Sequence, residues 1–126
     1  MRFLVIMSEM KLLILFSLIF SPALFARCET YTRYGEATEI CWLKEHKGFF
    51  SQRCQGKCEA RNFLEQKQTR PTSIDRSGGK NPAAQYCKAF GYKVAVLKSP
   101  RQSEQSFCEF PDGSLVDTNA LARSLK

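Results

Sequence analysis

The chain has 126 residues, six cysteines, one histidine and a formal charge of +7. That length allows one small domain or two very small ones, which excludes a large enzyme, a multispan membrane protein and a long coiled coil. The first 26 residues hold 19 of the 55 apolar residues, so the other 100 carry 36, six of them cysteines. So thin a supply for a core points to covalent staples.

Residues 1–26 read as a secretory signal. Leu12–Phe20 (LLILFSLIF) is a nine-residue apolar run behind Lys11, too short to span a bilayer. Ser21-Pro22 and a small-residue exit ending at Ala26 follow it. Cleavage after Ala26 leaves Arg27 first; cleavage after Ala23 also satisfies the small-residue rule. Met1 and Met10 both serve as starts, since Met10-Lys11-Leu12-Leu13 is itself an ordinary signal opening. Cys28 lies just past the signal, but Arg27 before it is not the small residue that lipid attachment needs.

All six cysteines (Cys28, Cys41, Cys54, Cys58, Cys87 and Cys108) follow the signal. An even count in an exported chain of this size reads as a disulfide framework, in the periplasm or outside the cell. After signal removal no transmembrane segment is expected. The exported part carries 17 Lys and Arg against 11 Asp and Glu, a net +6. Such an excess is ordinary on a solvated surface; its sharper reading is an anionic partner, such as an envelope component or an acidic protein. No nucleic-acid motif is present, and nucleic acid is not an expected partner.

Two segments flank a polar stretch, 66–80, with Ile74 as its one aliphatic residue and with Pro71 and Gly78-Gly79. Too polar to bury itself, it reads as a linker between a Cys-rich segment, 27–65, and a C-terminal module, 81–126. In the first segment, 36–44 and 49–54 read as a β-hairpin turning at Lys47-Gly48, with Gly48 at a positive φ. His46 opposite Phe49 then places Cys41 opposite Cys54 and Trp42 opposite Arg53, predicting a Cys41–Cys54 disulfide and a cation–π pair. A helix over 55–66 follows, leaving Cys28 for Cys58. The other connectivities of these four cysteines stay open, although Cys54–Cys58 is disfavoured if both lie one turn apart on a helix.

The C-terminal module is better punctuated. Asn81 caps a helix with Pro82 at its first position, Ala83, Cys87 and Phe90 form its apolar stripe, and Gly91 ends it. A strand over 92–97, a polar loop over 98–105, a strand over 106–110 and the turn Pro111-Asp112-Gly113 come next. A short third strand over 114–116 and a final helix over 119–125, capped by Thr118, complete it. The expected class is small α+β, disulfide-stabilised: a helix–strand–strand–(strand)–helix module, with Cys87 stapled to Cys108, behind a Cys-rich hairpin and helix.

Chemistry is sparse. His46, at the expected hairpin tip, should be exposed; there is no Gly-x-Ser-x-Gly elbow and no acidic partner at a telling spacing for nucleophilic catalysis, though Glu45 is adjacent. Cys28, Cys41, Cys54 and Cys58 could supply four thiolates to zinc, but their spacing is not that of paired knuckles and export favours oxidation. No catalytic residue, metal or cofactor is therefore expected. The exposed loop carrying Lys98 and Arg101 is the candidate binding loop.

Asn81-Pro82-Ala83-Ala84-Gln85-Tyr86-Cys87 and Cys108-Glu109-Phe110-Pro111-Asp112-Gly113-Ser114 together resemble a short bacterial domain of unknown function that carries a hemolysin label. The resemblance covers the last 46 residues and includes Gly91 and the strand after it. Val116 stands where that family has a third cysteine, and the family's last cysteine is also missing. The resemblance thus implies that Cys87 and Cys108 are partners by exclusion, in an exported, disulfide-held bacterial module. The hemolysin label brings no mechanism with it. Cys108, Asp112-Gly113 and Asn119 are also faintly similar to a stretch of Kazal-type protease inhibitors. The expected function is a non-enzymatic binding or structural protein of the cell envelope; the alternative is a secreted inhibitor or toxin-like effector that would use the Arg101 loop.

Overall fold

The computed structural model describes residues 27–74 and 81–126. The signal reading at 1–26 and the end of the polar stretch at 75–80 lie outside the described residues. In chain order come β1 (Arg27–Arg33), β2 (Glu36–Leu43), β3 (Gly48–Ser51), a 3-10 turn (Gln52–Gln55), α1 (Glu59–Glu65), α2 (Pro82–Ala89), β4 (Lys93–Lys98), β5 (Glu104–Glu109), β6 (Leu115–Asp117) and α3 (Thr118–Ser124). The six strands close into one antiparallel barrel in the order β1-β2-β3-β6-β5-β4. Two three-stranded meanders, one from each segment, meet at Phe50↔Val116 and at Thr32↔Lys98. The class is the expected small, disulfide-rich α+β one. Strand β1 and the closure into a barrel were not legible in the sequence pattern.

Strand alternation separates two cores. Tyr31, Ile40, Ala95, Leu97, Phe107 and Leu115 point inward and fill the barrel, with Phe49 packed against them. The alternate residues Phe50, Cys108 and Val116 point outward, under the helices, where they meet Phe63, Leu64, Tyr86 and Leu121. Phe63 anchors this outer layer, with ring centroids 4.9 Å from Phe90, 5.6 Å from Tyr92 and 5.6 Å from Phe110. The inward positions at one end are Arg33 and Glu109, which pair at 2.8 and 3.4 Å and plug that mouth of the barrel.

The hairpin register differs from the expected one. Cys41 faces Phe50 and Trp42 faces Phe49, because the loop between β2 and β3 spans Lys44–Lys47 rather than two residues. Lys47 takes the positive φ, 49°. Gly48 does not; it is needed because a Cβ there would strike the Cβ of Ala120 on α3. Cys41 is thereby removed from Cys54 and bonds its β1 partner Cys28 instead. Cys54 bonds Cys58, with their Cα atoms 5.1 Å apart. The objection to that pair fails because the two are not one helical turn apart: Cys54 lies in the 3-10 turn, and Cys58 is the extended N-cap of α1 (φ −154°, ψ 160°). The expected helix over 55–66 therefore starts only at Glu59. Cys87 bonds Cys108, so among the described residues no cysteine is left as a thiolate for zinc. Arg53, freed from Trp42, reaches the Asp112 turn instead.

In the C-terminal segment Asn81 accepts the Ala83 N–H at 3.0 Å, and Gly91 leaves α2 at φ 85°. Thr118 is not the cap of the last helix. Asp117 is, accepting the Ala120 N–H at 2.8 Å, while the Thr118 hydroxyl bonds Ser106 Oγ at 2.8 Å. The stretch 66–74 is tied down: Gln68 and Arg70 pair with the Lys126 backbone, and Ile74 packs on the outer core.

The division at 66–80 is thus no division of the core. All three disulfides lie within one segment or the other, so only non-covalent contacts cross between them. A chain cut at an engineered site within 75–80 should keep its two pieces together on native gel filtration without reductant, and release them in denaturant alone. Separation on cutting would mean that the barrel does not depend on both meanders.

Candidate functional site

The barrel's second mouth is open. Following the inward-facing positions of each strand toward that end leads from Tyr31 to Glu29 and Arg27 on β1, from Ile40 to Trp42 on β2, to Phe49 on β3 and from Phe107 to Gln105 on β5. These residues, with Ser99, Arg101 and Ser103 of the turn between β4 and β5, line a cleft of about 620 Å³. That volume lies within the range of small-molecule sites.

Aromatic rings form its apolar part. Trp42 and Phe49 are cross-strand partners with centroids 4.9 Å apart, edge to face; Tyr31 lies 6.5 Å from Phe49 and 5.7 Å from Phe107. Trp42, the one tryptophan of the chain, is 37% exposed. Tyr31 is buried, and its hydroxyl donates to Gln105 Oε1 at 3.2 Å. Burial pushes that hydroxyl above its ordinary pKa, and the nearby Glu29 and Asp117 carboxylates push the same way, against Arg101. Tyr31 therefore stays a neutral donor at physiological pH.

The Arg101 turn is closed by its own hydrogen bonds. Ser99 N–H donates to Ser103 O at 2.9 Å, Gln102 N–H to Ser99 O at 2.9 Å and Ser103 N–H to Ser99 Oγ at 3.2 Å. Gln102 takes φ 65°. The two residues singled out on this loop part company: Arg101 lines the cleft, whereas Lys98 pairs with Thr32 at the barrel seam and lines a different depression with Tyr34 and Val96. The sequence reading missed Arg27, Glu29, Tyr31, Trp42 and Phe49. Alternation places 27, 29 and 31 on one face, and a lone exposed Trp beside Phe49 was the other available signal.

His46 is not at an exposed tip. The longer loop folds it back, so that its side chain is only 14% exposed, 5.6 Å from the Phe50 ring and with Nε2 3.3 Å from Glu65 Oε2. It is absent from the cleft lining.

The Pro111–Ser114 turn is built into the fold. Asp112 Oδ1 accepts the Ser114 N–H at 2.9 Å and the Ser114 hydroxyl at 2.5 Å. Its Oδ2 accepts the Glu59 N–H at 3.0 Å, and Ser114 Oγ accepts the Ala60 N–H at 3.0 Å. Two of the open N–H groups at the start of α1 are thus satisfied from the other segment. Gly113, at φ 85°, makes the turn tight enough for this.

A family model described as Domain of unknown function (DUF333) matches residues 78–124. This is the segment whose two motifs carry the resemblance noted in the sequence. No curated protein and no solved structure matches the chain.

Partial burial raises the Asp112 pKa, but the Ser114 hydroxyl, the Glu59 and Ser114 N–H groups and Arg53 together outweigh it and hold the carboxyl below its ordinary 3.8. A depressed folded pKa stabilises the fold above pH 3.8, and that contribution is lost as pH falls through the folded value. Asp112→Ala should cost about 1–3 kcal/mol at neutral pH. The difference between wild type and variant in thermal melts should shrink as the pH falls below 3.8. A gap that stays constant down to pH 2 would exclude the carboxylate as its source.

Proposed function

We propose that the protein is an exported, disulfide-held binding module of the bacterial cell envelope, without enzymatic activity, that takes an anionic partner at the open barrel mouth. Three disulfides support maturation in an oxidising compartment. No helix among the described residues is long and apolar enough to cross a membrane. The observation that carries the reading is the convergence of Arg27 and Arg101, from two separate elements, on a cleft around Trp42. An anion there gains charge-assisted hydrogen bonds from both guanidinium groups.

An inhibitor of the kind weighed from the sequence would offer Arg101 on an extended strand to a protease. The hydrogen-bonded turn at Ser99–Ser103 lends that alternative no support.

The oxidised protein should cosediment with a washed envelope fraction, and retention should fall as ionic strength rises from roughly 0.05 to 0.5 M. Arg101→Glu should release it at lower salt than wild type, and Lys98→Glu, with the same change in net charge, should release it less readily than Arg101→Glu. Identical behaviour of the two variants would reduce the attraction to net charge and remove the cleft from the account.

A further inference from the structure

We infer that the cleft at the barrel mouth takes a carboxylated saccharide, with a pyranose ring against Trp42 and the carboxylate held by Arg101 and Arg27. This rests on the reading of the cleft as a binding site and names the class of ligand.

A pyranose ring has two kinds of surface. One face is a patch of C–H groups, weakly positive and apolar; the rim is a ring of hydroxyls, each of which can donate and accept. The cleft offers the complement of both. Trp42 is exposed beside Phe49, and the negative face of an aromatic ring attracts C–H groups. The polar groups around them are of mixed type. Glu29 accepts only, the two arginines donate only, and Ser103 does either. Gln105 has its carbonyl oxygen engaged by Tyr31, which leaves its amide N–H groups to donate outward.

A purely aromatic ligand would leave these polar groups without partners and would lose affinity for it. An inorganic anion would use the arginines and leave the rings idle. A ring carrying hydroxyls and one carboxylate uses all of them, and a planar carboxylate matches the guanidinium fork. The 620 Å³ of space admits more than one sugar unit.

Trp42, as the chain's one tryptophan, makes the site report on itself. The oxidised protein is titrated, following tryptophan emission, with two acidic disaccharides: digalacturonate, and N-acetylglucosamine linked to N-acetylmuramic acid. Chitobiose, which keeps the acetamido rings of the second and lacks its lactyl carboxylate, is the neutral control, and a short Glu/Asp peptide is the competing anion. At least one acidic disaccharide should shift the emission saturably, with chitobiose at least about tenfold weaker; the tighter of the two acids identifies the source. By calorimetry, Trp42→Ala and Arg101→Glu should each weaken binding at least about tenfold, while Lys98→Glu leaves it unchanged. Thermal melts establish that each variant is folded.

Equal binding of chitobiose would remove the carboxylate from the proposal. Saturation by the peptide alone would replace the saccharide with a protein ligand. If no sugar binds but envelope retention still depends on Arg101, the ligand class is wrong and the cleft reading stands. If that dependence is absent as well, both fall.

Discussion

The buried carboxylate of Asp117 is the joint on which the architecture turns. One oxygen accepts the Phe49 N–H at 2.7 Å, and the other accepts the Ala120 N–H at 2.8 Å. A charge 4% exposed is costly unless it is hydrogen-bonded. Here both oxygens are engaged, and the carboxylate caps α3, where the helix dipole favours a negative group. The geometric consequence is larger than the energetic one. Asp117 fixes β3 against the end of β6 at the point where the two meanders meet, and it draws α3 so close to Gly48 that no side chain fits between them. Phe49, whose backbone it holds, is also the ring that packs against Trp42. The joint therefore sets the open mouth as well as the barrel.

The part of the chain after residue 26, poor in apolar residues, manages because the barrel wall is used twice. Neighbouring positions such as Phe49 and Phe50, Phe107 and Cys108, and Leu115 and Val116 serve the inner and the outer core in turn. The disulfides do not join the segments. They fix each meander locally, and Cys87–Cys108, spanning 21 residues, restricts the unfolded chain by on the order of 3 kcal/mol. Both cores span the two segments, and a set of polar contacts to backbone N–H groups fixes how they meet: Asp117 to Phe49, Ser51 Oγ to Leu115 at 2.9 Å, and Asp112 and Ser114 to the start of α1. The Ala60 and Leu115 N–H groups would otherwise be buried unpaired.

The sequence was legible where its signals are local. Asn81-Pro82 and Gly91 mark α2 because capping and positive φ are properties of a few neighbouring residues. The hairpin was read correctly as a hairpin and wrongly in register, because the register depends on the length of the loop. Two residues were inferred where there are four, and every cross-strand partner moved by four places. The shift is even, so each residue kept its face while losing its partner; that is why Cys41 met Phe50 rather than Cys54. Strand β1 was illegible for a different reason. Its outward positions after Cys28 are threonines, and of its inward ones only Tyr31 is apolar, with Arg27 and Glu29 lining the open cleft and Arg33 pairing with Glu109. Arg101 could be picked out as a loop-tip cation, but its companions could not, since nothing local brings 101 beside 27 and 42. That proximity comes from barrel closure.

The family match and the candidate site overlap only in part. Of the matched segment, 78–124, only Ser99, Arg101, Ser103 and Gln105 reach the cleft; Arg27, Glu29, Tyr31, Trp42 and Phe49 come from the segment before it. The family's two motifs do other work here. Asn81 starts a helix, Cys87 and Cys108 staple it to β5, and Asp112 with Ser114 caps a helix that lies outside the matched segment. In this chain the matched domain is thus half of a barrel with a means of gripping the other half. The aromatic rings and one of the two arginines are contributed by the partner meander. The proposed binding at the mouth therefore draws its aromatic rings and one of its two arginines from residues 27–49, which a comparison of the matched domain alone does not see.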